Sequence, residues 1–150
     1  MWEEIIAQLE TIVKSIDNIQ ETFIYEKEQF KGTPSVTITP SSNESEFEST
    51  RDNERIYAFS VKVYVNRTVA PAGNDVDYWA DKRLRIIVDE LLNNLDSNYT
   101  LTGITNPPGY TFINLFATPS VWGYAGREDE FRVADIAVRA RVLVDVNTIC

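Results

Sequence analysis

The end of the chain alternates apolar and polar residues over thirteen positions, and this pattern restricts the fold more than any other feature. Successive side chains of a β-strand point to opposite faces, so a period of two predicts a long strand with one buried face. The opposite face carries Arg139 and Arg141, which is typical of a sheet with helices on one face only. The buried positions are Ala134, Ile136, Val138, Ala140, Val142, Val144 and Val146.

Two segments have the spacing of amphipathic helices instead. Residues 2–16 place apolar residues at steps of three and one from Trp2 onwards, which predicts a helix with Trp2 in the core. A second helix is predicted from Val76 to Leu95, with Asn74 or Asp75 as its N-cap. Its apolar stripe consists of Val76, Ala80, Leu84, Ile87, Val88, Leu91, Leu92 and Leu95. On its polar side, Asp81 and Arg85 are spaced for a stabilising pair.

The remaining pattern predicts strands separated by turn residues. We expect the first two strands to form a hairpin across the turn at 31–34, and the third to bury its face from Tyr57 to Val65. The charged segment 123–130 is predicted to be a hairpin loop before the last strand. The predicted strands before that last one cover 19–27, 35–39, 55–65, 99–103 (short) and 110–119.

These elements predict one domain over residues 1–150, in the order α-β-β-β-α-β-β. The fold class is α+β: a two-layer sandwich in which two helices pack on one face of a mostly antiparallel sheet. Its other face, with Lys62, Arg139 and Arg141, is expected to be too polar for a second core. Residues 41–54 are acidic and are predicted to be a loop or arm. It is either a solvated connection or an arm that becomes ordered against a partner through Phe47, its single aromatic residue.

Composition excludes several classes of function. The chain has no His, so it lacks Ser-His-Asp and Cys-His catalytic pairs and His-ligated zinc. Its only cysteine is Cys150, which excludes an internal disulfide and a four-cysteine metal site. The net charge of −9 argues against tight binding to DNA or RNA, because such binding depends on cations that neutralise phosphates. With no apolar run longer than four residues and an acidic start, we expect neither a membrane span nor a secretion signal.

No motif for cofactor binding or catalysis is present, so we predict no cofactor, no metal and no catalytic residues. The Walker and dinucleotide-binding patterns are absent. The spacing Gly123-x-x-Gly126, followed by Arg127, matches a nucleic-acid-binding loop only weakly. Glu128 and Asp129 belong to a hydrophilic loop in which nothing suggests a raised pKa, although acid/base chemistry by carboxylates stays an alternative.

The order of elements resembles the tail terminator (tail completion) proteins of long-tailed bacteriophages. The resemblance lies in the amino-terminal helix, the strand 57–65, the sequence 77–81 at the head of the second helix, the charged hairpin 123–129 and the Val-rich last strand. It covers most of the chain as topology and spacing. The acidic segment 41–54 and the pair Pro107-Pro108 depart from the family pattern.

The resemblance implies a structural virion protein rather than an enzyme. Such proteins form a ring, typically a hexamer, that caps the tail tube and joins the tail to the head-side connector or stopper protein. Assembly would take place in the host cytoplasm, and DNA would pass through the ring without specific binding. Residues that we expect at interfaces are Phe47, Lys62, Trp79, Trp122, Arg127, Glu128, Asp129, Arg139 and Arg141. Alternatives are another neck or tail-tube protein of the same fold group, a hydrolase that uses carboxylates, and a monomeric adaptor.

Overall fold

The computed structural model describes residues 1–47, 52–67, 73 and 75–149, with only the backbone described for 42–47, 52, 120, 148 and 149. The described chain has an α+β fold with two long helices and a mixed sheet, so the α+β class that the sequence predicts is confirmed. The elements are α1 (Trp2–Lys14), β1 (Glu21–Phe23), β2 (Ser35–Phe47), β3 (Asp52–Asn66), α2 (Val76–Ser97), β4 (Tyr110–Ala125), a 3₁₀ turn (Arg127–Asp129), β5 (Phe131–Asp145) and α3 (Val146–Ile149).

The five strands form one sheet in the order β1-β2-β3-β5-β4. β2 with β3, β3 with β5 and β4 with β5 pair antiparallel, whereas the short β1 runs parallel to β2. β5 therefore lies inside the sheet, and β4 is an edge strand. The parallel pairing of β1 means that the predicted hairpin between the first two strands is wrong, because the chain crosses over between residues 24 and 34 instead of turning back.

The main core lies between the two helices and one face of the sheet. Ile5, Leu9 and Val13 of α1 and Leu84, Leu91 and Leu95 of α2 are completely or almost completely buried there. Each alternate residue of β5 from Ala134 to Val144 is also buried, as the sequence pattern predicts. Val146, the last of the predicted strand positions, instead begins α3 and is half-buried. Trp2 is half-buried against this core and makes edge contacts with Tyr57 and Phe59.

The amino-terminal end of α2 is fixed by Asp75. Its carboxylate accepts hydrogen bonds from the backbone N–H groups of Asp77 and Tyr78, so Asp75, one of the two predicted candidates, is the N-cap. Val76 is 40% exposed, which corrects its predicted place on the buried stripe; the buried stripe of α2 begins at Ala80. Neither α2 nor any other helix of the described residues combines the length and the apolar character that would let it cross a membrane.

The segment predicted as a polar loop or arm is mostly strand. β2 continues to Phe47 and β3 begins at Asp52, so residues 42–47 pair with β3 in a long hairpin. Its polar sequence is compatible with a strand because part of this hairpin lies at the edge of the sheet, where side chains need not be buried. The predicted short strand at 99–103 is wrong as well, since these residues form turns after α2.

The second face of the sheet is less polar than expected at one end. Tyr64, Phe131 and Val133 are buried there, and Phe30 from the β1–β2 connection packs on Tyr64 with a ring distance of 4.7 Å. This small second core corrects the expectation that the face is too polar to have one. Burial raises the pKa of the Tyr64 phenol above its ordinary value of 10.0.

Candidate functional site

The outer edge formed by β4 is the most unusual surface of the molecule. All sixteen residues from Tyr110 to Ala125 are uncharged, although the strand lies at the edge of the sheet. Large side chains are exposed along it: Phe116 (54%), Val121 (62%), Trp122 (40%) and Tyr124 (56%). Edge strands of monomeric proteins are usually protected from pairing by charges, prolines, bulges or short length. β4 has Pro119 and two register shifts but no charge, and the large side chains exposed along it indicate a contact surface.

The first half of this edge is covered by the protein itself. The backbone N–H groups of Tyr110, Phe112 and Leu115 point away from β5 and donate hydrogen bonds to the α2–β4 loop. Their acceptors are the carbonyl of Pro107 at 3.0 Å, the side-chain oxygen of Asn106 at 3.0 Å and the carbonyl of Tyr99 at 2.9 Å. Beyond Leu115 no such contact is found among the described residues, so the exposed aromatic residues coincide with the uncovered half.

The end of β4 is held to α2 by two arginines that share one aromatic ring. The guanidinium groups of Arg67 and Arg132 each lie 4.7 Å from the ring centre of Tyr124. Arg132 also donates to Asp81 on α2 at 2.6 Å, and Arg67 donates to Asp77 at 2.9 Å. The partner of Asp81 is therefore Arg132 and not Arg85, as the helical spacing predicted.

The loop between β4 and β5 is held in an unusual conformation by Arg67. Gly126, Glu128 and Asp129 have positive φ values of 81°, 57° and 53°, which are unfavourable for the last two. The Nη1 of Arg67 donates to the carbonyl of Asp129 at 2.7 Å, and its backbone N–H donates to the carbonyl of Glu130 at 2.9 Å. The hydrogen bond with Asp77 raises the pKa of the Arg67 guanidinium above its ordinary value.

The structure brings together four of the predicted interface residues at this end of the sheet. Arg127, Glu128 and Asp129 are exposed on one loop, and Trp122 lies on β4 shortly before it. Trp79 is half-buried on α2, where it forms a shallow groove with Asn18 and Ile86.

The cationic candidates are spread over the second face of the sheet. Arg141 pairs with Glu54 of the same chain, and Lys62 lies 3.6 Å from Glu26. From their place on one face of neighbouring strands, Lys62 is expected next to the two arginines. Lys62 instead faces Asp135 in the register and Arg139 faces Ala58, so this expectation is wrong.

Phe47 is the last residue of β2, where its backbone pairs with Asn53. Its side chain, and with it the predicted role as an anchor, lies outside the described residues. Residues 48–51 of the predicted arm lie outside them as well.

Sequence reasoning missed Arg67, Arg132 and Tyr124. A signal for Arg132 is present: it falls on the same alternate positions as Ala134 and Ile136, which face the helices. A cation at such a position requires an acidic partner, and Asp77 and Asp81 are spaced one turn apart at the start of the second helix. Arg67 has no comparable signal because it follows the end of a strand.

Among the described residues, no cluster of three or more His, Cys, Asp or Glu side chains could hold a metal ion. A depression of about 500 Å³ lies over Tyr64 and Phe131, but its rim mixes cations with acids: Lys27, Lys62, Arg127, Glu26, Glu28 and Glu130. The arrangement is suited to contact with another macromolecule along β4 more than to chemistry at a closed site.

Comparison with models of known protein families gives no match, and comparison with curated proteins gives no relative.

Proposed function

We propose that this chain is a structural protein of the phage virion. In this proposal it is a tail terminator: a two-layer sandwich with helices on one side, several copies of which form a closed ring, a hexamer by the resemblance. The ring caps the tail tube and joins the tail to the connector or stopper protein on the head side. Assembly takes place in the host cytoplasm.

The observation that carries the proposal is the uncovered half of β4. A chain with a net charge of −9 has many acids with which to protect an edge, yet this strand has none. Val121, Trp122 and Tyr124 are exposed there together. Large aromatic residues are enriched at the centres of protein interfaces, so a second protein chain is the occupant that fits this edge best.

The charge distribution is consistent with a ring through which DNA passes. The cations Lys62 and Arg141 are already paired with Glu26 and Glu54, so they provide little net attraction for phosphates. A surface of this kind would let DNA move through the lumen without specific binding.

Another neck or tail-tube protein of the same fold group is the second candidate, since it would use the same apolar edge for ring formation. A hydrolase that uses carboxylates is favoured less. It would need two acids that face one cleft, whereas Glu128 and Asp129 are exposed on one loop.

Light scattering of the purified protein, followed by electron microscopy of the free protein and of the protein mixed with tail tubes, tests the proposal. We expect a ring in solution or at one end of the tube. A ring distributed along the whole tube would favour the tail-tube candidate. A monomer in both settings would overturn the proposal and favour the adaptor or the hydrolase.

A further inference from the structure

The two edges of the sheet are each uncovered over one half, and the halves lie at opposite ends. On β4, the backbone of Leu115 points outward, away from β5, and by alternation so do those of Ala117 and Pro119. After the register shift, the outward positions are Trp122 and Tyr124, which pair with Ala134 and Arg132. None of these four positions has a backbone partner outside the sheet among the described residues.

On β2, the backbone groups of successive residues point alternately toward β3 and away from it. Pro34 points away, because its carbonyl accepts a hydrogen bond from the backbone N–H of Gln20 at 2.8 Å on the β1 side. β1 covers β2 only as far as Thr37. Beyond Thr37, the backbone of Pro40 points outward. The register shift between Pro40 and Ser42 changes the alternation by one residue, so the next backbone to point outward is that of Asn43. Pro40 and Pro119 lie at such outward positions, so neither removes a hydrogen bond within the sheet of its own chain, and each offers only its carbonyl to a strand added from outside. β3 pairs with the inner side of this half of β2. In the part of the chain that the structure describes, no strand pairs with its outer side.

The strand directions allow the two open halves to pair with each other in different copies. β2 and β5 run in one direction, and β3 and β4 run in the other. Copies related by rotation about an axis along the strands therefore place β4 of one copy antiparallel to β2 of the next. Such a contact joins two different surfaces, so it continues from copy to copy until the ring closes.

The stagger that this pairing requires can be read from the register. Pro40 is level with Phe59, whereas Trp122 and Tyr124 are level with Val63 and Val65 of the same strand. If Pro40 of one copy faces Trp122 or Tyr124 of the next, each copy is shifted along the strand direction by about four to six residues, or roughly 13–20 Å. Four strands from β2 to β4 span about 19 Å at ~4.8 Å each. The resulting strand tilt is about 35–45°, which is the tilt found in closed β-barrels.

We propose that the open half of β4, from Ala117 to Tyr124, adds to the open half of β2, from Pro40 to Phe47, of a second copy of this chain. Main-chain hydrogen bonds hold the contact, and Val121 and Trp122 are covered by it. The sheets of all copies then form one continuous, tilted barrel. This inference rests on the proposed ring, and it adds which surfaces of the chain build it.

Two proline variants test the pairing. Ala117→Pro removes an outward N–H from β4, and Asn43→Pro does so on β2, while Ala117→Val and Asn43→Thr keep the N–H and serve as matched controls. Far-ultraviolet circular dichroism checks that each variant is folded. If Ala117→Pro does not fold, Val121→Lys serves in its place. Val121 is exposed, and a lysine there should prevent pairing at the β4 edge.

We expect rings from wild type and from both controls, and monomers from each proline variant alone. An equimolar mixture of the two proline variants should form heterodimers that do not grow, because each retains one intact edge. Sedimentation velocity measures all of these species.

Several outcomes would overturn the pairing alone. These are rings from either folded proline variant, or a mixture of the two that stays monomeric. Absence of rings in wild type, both free and on tail tubes, would instead overturn the proposed function itself.

Discussion

Arg132 of β5 donates a hydrogen bond from its Nε to the carboxylate of Asp81 on α2 across 2.6 Å, and this contact joins the sheet to the helix beside the exposed edge. The same guanidinium donates to the carbonyl of Gly123 at 2.7 Å and lies over the ring of Tyr124. One partly buried cation therefore positions the end of β4 against α2.

Replacement of Arg132 by Ala should destabilise the fold because Asp81 and the Gly123 carbonyl both lose their donor. We expect a loss of about 1–3 kcal/mol, as is usual for hydrogen bonds to charged groups. Arg85→Ala, at an exposed position on the same helix, should change stability by less than about 0.5 kcal/mol. Urea unfolding of both variants provides the measurement. Equal stability of the two would mean that the Arg132 contacts contribute nothing.

Val142→Ala should lower the free energy of unfolding by about 1–3 kcal/mol, through lost apolar burial and the cavity left behind. Val142 is fully buried between the sheet and the helices, whereas its neighbour Leu143 lies half-buried on the opposite face. Leu143→Ala is the matched control and should cost less, although it removes more atoms. A larger loss for Leu143→Ala in thermal melts would show that the faces of β5 are assigned the wrong way round.

Tyr64 should make the fold sensitive to alkaline pH. Because the folded state raises the pKa of the phenol, its contribution to stability is complete below the unfolded pKa near 10.0 and is lost as pH rises through the folded pKa. Wild type should therefore lose stability relative to Tyr64→Phe as pH increases beyond 10. Denaturant unfolding at pH 8 and above pH 10 compares the two proteins. A constant difference between them would contradict the prediction.

Arg67→Ala should release the loop 126–130, since Glu128 and Asp129 keep their positive φ values while Arg67 binds the carbonyl of Asp129. Hydrogen exchange of a peptide that covers this loop should become faster, with little change in β5. Arg127→Ala changes an exposed residue of the same loop and should leave exchange unaffected. Slow exchange in the Arg67 variant would mean that the loop conformation is set by its own sequence.

Arg141 and Glu54 should be energetically coupled, since they form an ion pair in which the Glu54 carboxylate is only 13% exposed. Arg141→Ser leaves that carboxylate without this donor, so we expect a loss of about 1–3 kcal/mol. In the Glu54→Gln background, Arg141→Ser should lower the free energy of unfolding by less, because no largely buried carboxylate loses this donor. A double-mutant cycle by chemical denaturation measures the difference, and a coupling energy near zero would refute the pairing. Ring formation by Arg139→Ser then tests separately whether that arginine contacts an adjacent subunit.

The candidate site was only partly predictable from the sequence. Trp122 and the loop residues Arg127, Glu128 and Asp129 could be named because loops often carry binding residues, and large aromatic residues are enriched at interfaces. That β4 is an edge strand could not be deduced, since edge and central strands of similar composition differ only in what lies next to them. The separation of Lys62 from Arg139 likewise depends on register, and a shift of a few residues is invisible in the pattern of either strand alone.

The elements with a long apolar period could be recognised in the sequence: α1, α2, the buried face of β3 from Tyr57 to Val65 and the buried face of β5. Period and side-chain direction are local properties of the backbone, so the alternation from Ala134 to Val144 allows one assignment. The parallel pairing of β1 with β2, the strand at residues 42–47 and the ion pair of Asp81 with Arg132 became clear only from the folded domain. These features depend on contacts between residues far apart in the chain. A residue often has an equally suitable partner nearby in the sequence, as Asp81 has in Arg85. The packing of the whole domain then selects the partner that is used.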